Sequence, residues 1–167
     1  PLGRTLGWVF AIAFVLAEEG GLSDDPRDPG GLTKFGISQR SYPHLDIRGL
    51  TREKAIDIYK TDFWDVHRCG ELQPVIGMAL FDACVNQGGA AVKLLQQALA
   101  VTADGVVGPQ TIAAAARRES AQVLQSFLAR RAVRYAGLSA FETYGLIWMG
   151  RLFRLFSRCL TLETPHV

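Results

Sequence analysis

The chain has 167 residues, nearly half of them hydrophobic, and a net charge of only +2. That composition excludes a wholly disordered chain, and the length suits one compact domain with a sizeable core. The charge is uneven: residues 1–116 carry ten Lys and Arg against thirteen Asp and Glu, whereas residues 117–167 carry eight Arg against three Glu.

Arg4 followed by the apolar run Trp8–Ala17 has the outline of a signal segment. The run is too short to span a bilayer, and no small-residue cleavage site follows it. It predicts a helix over Thr5–Glu18, apolar on nearly all sides and so central. Glu19 to Ile37 then reads EGGLSDDPRDPGGLTKFGI, with five glycines, two prolines and four carboxylates. Such a stretch is a bent loop, with room for one small hairpin near residues 20–37 anchored by Leu32, Phe35 and Ile37.

Ser38 predicts a short helical turn that Pro43 interrupts. Thr51 caps a helix over Arg52–Trp64, where Ile56, Tyr59 and Phe63 recur at helical spacing. Asp65–Gln73 is polar and irregular. Pro74 suits the first turn of a helix over Val75–Gln87. Gly88-Gly89 ends it, and Ala90–Ala100 is the next helix. Ala103-Asp104-Gly105 turns, and Gly108-Pro109 restarts a helix through Ala116. A long helix runs from Glu119/Ser120 to Leu138, and a last one spans Tyr144–Leu160. The expectation is a mainly α single domain over 1–167 with about seven helices, lysozyme-like by the family resemblance below. Residues 5–88 form its catalytic helices and motif loop, and residues 89–160 a helical part packed on them.

Cys69, Cys84 and Cys159 are odd in number and make no disulfide framework, which suits folding in a reducing cytoplasm. His44, His67 and Cys69 match no compact zinc pattern, so no metal or other cofactor is expected. No nucleic-acid motif accompanies the C-terminal arginines.

The chemistry gathers at the glycine-rich loop. Hydrolysing a glycosidic bond takes one carboxylic acid to protonate the leaving oxygen and a second group on the other face of the sugar. Glu19, where an apolar helix meets the loop, suits the acid, because apolar surroundings favour a neutral carboxyl. Asp28 lies nine residues on and Thr33 five further. An aspartate can activate a water that a threonine holds. Asp24 and Asp25 are weaker second carboxylates, and Glu18 a weaker acid. Asn86 and Gln87, at a helix end, could bond sugar N-acetyl or hydroxyl groups, with a helix cap as the plainer reading. Tyr42 could stack on a sugar ring, whereas Trp64 reads as core.

The whole string, E-G-G-x-x-x-D-x-P-x-D-P-G-G-x-T-K-F-G-I-S, closely resembles the signature of glycoside hydrolase family 108. Its members are N-acetylmuramidases found as phage endolysins and as secretion activators. The resemblance continues in Tyr59–Asp65, in Leu80-Phe81-Asp82-Ala83-Cys84-Val85-Asn86-Gln87-Gly88 and in Leu95–Leu99. Asp104-Gly105-Val106-Val107-Gly108-Pro109 with Thr111 is similar to the family's C-terminal peptidoglycan-binding segment. Ile147-Trp148-Met149-Gly150-Arg151 resembles its final Gly-Trp-x-x-Arg helix, with Ile147 where glycine is usual. The resemblance implies that Glu19 is the catalytic acid, that the substrate is the β-1,4 bond between N-acetylmuramic acid and N-acetylglucosamine, and that cells are lysed. It also implies a monomer made in a host cytoplasm that reaches the periplasm or cell wall through a partner such as a holin. A lytic transglycosylase and a non-catalytic wall-binding secretion activator are the alternatives. Finally, Arg151, Arg154 and Arg158 fall on one helix face beside Leu and Phe, an expected contact with an anionic outer membrane. A docked helix with solvated arginines is the plainer reading.

Overall fold

The computed structural model describes residues 2–25 and 30–163. Seven α-helices and one two-stranded sheet account for most of them, so the chain is mainly α and lysozyme-like. Helix α1 spans Leu2–Glu19 and buries Ala11, Ile12, Phe14 and Val15. It is not central on all sides, because Leu6 and Val9 are half exposed. The central element is α3, Pro74–Gln87, in which every residue from Val75 to Cys84 is buried. It packs against α1, α4, α6 and α7. An apolar run can be covered on all sides only where neighbours surround it, and α1 is left open along the stripe of Leu6, Val9, Ala13 and Ala17. No helix among the described residues is long and apolar enough to cross a membrane.

Strands β1 (Thr33–Lys34) and β2 (Ile37–Ser38) pair antiparallel in the motif region. Phe35 (φ 52°) and Gly36 (φ 79°) make the two-residue turn between them. Positive φ at both central residues is the mark of the turn whose twist matches a hairpin. Ser38 ends the strand and also caps one helical turn before Pro43: its hydroxyl accepts the Ser41 amide at 3.2 Å and its carbonyl the Tyr42 amide at 3.0 Å.

Thr51 caps α2 (Arg52–Tyr59), accepting the Lys54 amide at 3.2 Å. The regular helix stops earlier than the sequence pattern suggests, because Lys60–Asp65 is π-helical. Thr61 Oγ1 donates to the Asp57 carbonyl at 3.0 Å and competes with the ladder there. The wider turn carries Trp64 into the core, 5.4 Å from Trp8 and 5.6 Å from Phe81. Cys69–Glu71 follows as a 3-10 turn within the stretch read as irregular.

Helices α4 (Ala90–Ala98), α5 (Pro109–Ala116), α6 (Ser120–Ala136) and α7 (Phe141–Glu163) complete the chain. Between α4 and α5, the buried Gln96 side chain donates to Asp104 Oδ1 at 2.7 Å and Thr111 Oγ1 at 3.1 Å, and accepts from the Gly105 amide at 2.9 Å. One glutamine thus fixes the Asp104–Pro109 loop. Ile147 is 63% exposed, so the residue that departs from the expected glycine obstructs no packing.

Candidate active site

Glu19 is the last residue of α1, and Gly20 leaves the helix at φ 69°. A glycine in this conformation just past a helix end costs little, where a side chain would be strained. The loop then returns through a bridge in which the backbones of Ser23 and Thr33 exchange hydrogen bonds of 2.7 and 2.9 Å. The hairpin turn lands on Glu19. Tyr59 Oη donates to the Phe35 carbonyl at 2.8 Å and holds the turn there. Burial and the Glu19 charge push the Tyr59 phenol above its usual value, so it stays a hydroxyl.

Gly36 is the closest point of that contact. A Cβ on it would lie 2.7 Å from Glu19 Cγ and 2.8 Å from Glu19 Cβ, and would also collide with Tyr59 Oη. Gly36→Ala is therefore expected to displace the Glu19 side chain as well as strain the turn. Shifts of this size in a reacting group cost on the order of 100-fold in rate. Turnover of peptidoglycan by a folded Gly36→Ala protein, checked by circular dichroism, is the measurement; a parental rate would show that the contact does not matter.

Glu19 does not sit in the apolar setting expected from the sequence. Its Oε1 accepts from Arg151 Nη1 at 2.7 Å. Arg151 Nε donates to Asp82 Oδ1 at 3.0 Å, and Asp82 Oδ2 accepts from Arg131 Nη1 at 2.8 Å. Asp82 and Arg131 are fully buried, and Arg151 is 7% exposed. Burial works against the Arg151 charge, but Asp82 and Glu19 outweigh it and hold the guanidinium above its usual value. The Glu19 side chain is 21% exposed. Among the described residues no donor meets its Oε2.

Arg151 belongs to the basic helix face read from the sequence as membrane-contacting or, more plainly, as docked. The structure corrects the membrane reading: a buried arginine between two carboxylates presents no basic surface. Arg154 pairs bidentately with Glu18 at 2.7 and 2.8 Å, and the Arg158 guanidinium lies 5.8 Å from the centre of the Phe10 ring. These arginines tie α7 to α1.

The other expected site residues are placed as follows. Thr33 Oγ1 donates to the Gly31 carbonyl at 3.1 Å, so its lone pairs remain to accept from a water. Asp28 lies outside the described residues. Asp24 pairs with Arg48, and Asp25 is half-buried on the same loop. The Tyr42 hydroxyl donates to Asp62 Oδ2 at 2.8 Å; burial and then that bond raise its pKa above the usual value. His67 Nδ1 is engaged by the Phe63 carbonyl at 2.8 Å.

Asn86 and Gln87 are drawn inward. Arg131 Nε donates to Gln87 Oε1 at 2.6 Å, and the Tyr135 hydroxyl donates to Asn86 Oδ1. Arg131 and Tyr135 thus occupy both amide oxygens. Gln87 Nε2 is buried with no partner among the described residues.

Sequence reasoning missed Asp82 and Arg131 as part of this cluster. The signal was present. Asp82 is the only charged residue of α3, and a charge in the middle of an all-buried helix needs a partner.

Comparison with known proteins gives the family and the fold. Residues 12–88 match the family described as Glycosyl hydrolase 108, and residues 90–146 match the one described as Predicted Peptidoglycan domain. The structure of Brucella abortus SagA superposes with a TM-score of 0.89 at 30% identity, covering 98% of this chain and 99% of that one. No curated protein matches the chain. Glu19 and Asp82 lie in the first matched stretch and Arg131 in the second, while Arg151 follows both. The chain belongs to the glycosyl hydrolase 108 family, with a peptidoglycan domain behind its hydrolase stretch.

Proposed function

We propose that the protein is a lysozyme-type N-acetylmuramidase that cleaves the β-1,4 bond between N-acetylmuramic acid and N-acetylglucosamine in peptidoglycan. The observation that carries this reading is Glu19: a helix-end carboxylate fixed through one oxygen by Arg151, with no donor on the other oxygen among the described residues. Glu19 donates its proton to the glycosidic oxygen as the bond to the sugar C1 breaks. A water held near Thr33 then adds to C1 and gives up its proton to an aspartate, Asp28 or less favourably Asp25. In this reading the enzyme lyses bacterial cells from within, after release by an export partner such as a holin.

A lytic transglycosylase is the second reading. It needs one glutamate and no water, and two aspartates near the site are already committed: Asp24 to Arg48, and Asp82 to two arginines. Digestion of purified sacculi followed by mass spectrometry separates the two. Reducing N-acetylmuramic acid ends are the expected product. A 1,6-anhydro end would identify a transglycosylase, and binding without any soluble product would identify a wall-binding protein.

A further inference from the structure

Four ionised groups run inward from the α1 end with alternating sign: Glu19, Arg151, Asp82 and Arg131. They come from α1, α7, α3 and α6. A single arginine 2.7 Å from Glu19 puts one positive charge beside a group that must donate a proton. Asp82 changes that balance, because both its oxygens face arginines and one of these is the arginine on Glu19. With Glu19 ionised the four charges sum to zero, and with Glu19 protonated they sum to +1. Without Asp82 the same two states would carry +1 and +2, so protonation would be opposed more strongly.

Resting on the reading of Glu19 as the acid, we propose that Asp82 and Arg131 are positioning residues that set the pH range of the reaction, Asp82 by offsetting Arg151 and Arg131 by moderating Asp82. Arg131 belongs to the peptidoglycan-domain stretch, so that half of the chain takes part in tuning the acid. A cluster kept only for stability would be unusual here, since buried ion pairs are often no better than apolar residues of the same volume.

The other charged and titratable neighbours are few. Tyr59 faces Glu19 from α2, with Tyr42 behind it. From α7, Arg154 is engaged by Glu18. Cys84 on α3 and Tyr135 on α6 lie against the inner pair and are both pushed up, Cys84 to about 12, so neither carries charge at neutral pH.

The test is the pH–rate profile of peptidoglycan cleavage by the full chain. Asp82→Asn is expected to move the alkaline limb, where the acid loses its proton, down by about one pH unit. Arg131→Gln is expected to move it up, and Arg131→Lys, which keeps the charge, to restore the parental limb. A purely structural role predicts no such opposition of sign. Limbs that stay put in folded variants, or move the same way, would overturn the proposal, and so would loss of the fold in both charge variants. Glu19→Gln keeps the two readings apart. If it cleaves at the parental rate, the acid assignment itself fails. If it is inactive while the limbs do not move, only the tuning role fails.

Discussion

Glu19→Gln is expected to abolish cleavage of peptidoglycan while the protein stays folded and still binds the wall. The amide keeps the shape and can still accept from Arg151 Nη1 through its oxygen, so the contact at 2.7 Å survives in neutral form. What is lost is the proton. Loss of a general acid costs about 10²–10⁴ in rate, and the neighbouring carboxylates Glu18 and Asp82 are both engaged by arginines. Glu18, next in the chain, is taken by Arg154 in a bidentate pair. Asp82 is sealed between arginines and 0% exposed. Turbidity clearing of purified sacculi gives the rate, and co-sedimentation with them gives the binding. Clearing at the parental rate would refute the assignment of Glu19 as the acid.

Arg151→Met is expected to give the largest loss of stability. Methionine follows the course of the arginine stem and fills much of its volume, but leaves two carboxylates facing an apolar group. Asp82 keeps Arg131 and loses half of its partners, while Glu19 loses its only one among the described residues. Removing one member of a buried pair costs about 3–5 kcal/mol, because the charge left behind stays buried. For a chain of this size that is a fall in melting temperature on the order of 10 °C. Differential scanning calorimetry measures it. A shift of only a degree or two would mean that Asp82 and Glu19 are well served without Arg151. The double variant Arg151→Met/Glu19→Gln is expected to recover part of the loss, since it removes the carboxylate that Arg151 alone pairs among the described residues and leaves the buried Asp82–Arg131 pair intact.

Much of the fold was legible from local rules. Pro74 at the first turn of α3, Thr51 as the cap of α2 and the glycine pairs between helices mark boundaries that the structure keeps within a few residues. These signals act through backbone geometry and a single side chain, so they can be read from a short window. The exceptions are tertiary. Lys60–Asp65 has the spacing of an α-helix yet winds as a π-helix, and the burial of Trp64 beside Trp8 and Phe81 is its context. Helix α1 is as apolar as a central helix but has an exposed edge, because its neighbours leave the stripe of Leu6, Val9, Ala13 and Ala17 uncovered.

The candidate site divides the same way. The sequence by itself singled out Glu19 as the candidate acid: an apolar helix, a glutamate and two glycines within a distinctive string mark the residue and its place at a helix end. It also marked Thr33 and Tyr42, though not what they touch. Only the tertiary structure decided the surroundings of Glu19. Arg151 is 132 residues away in the chain and Asp82 is 69 from Arg151, and no periodicity links residues on four different helices. Read along α7 alone, Arg151 groups with Arg154 and Arg158 as a basic face. Read in three dimensions it is the buried partner of two carboxylates. The reason is physical: a helix face is defined by its own sequence, but whether that face meets water, lipid or an opposite charge depends on which elements the fold brings against it.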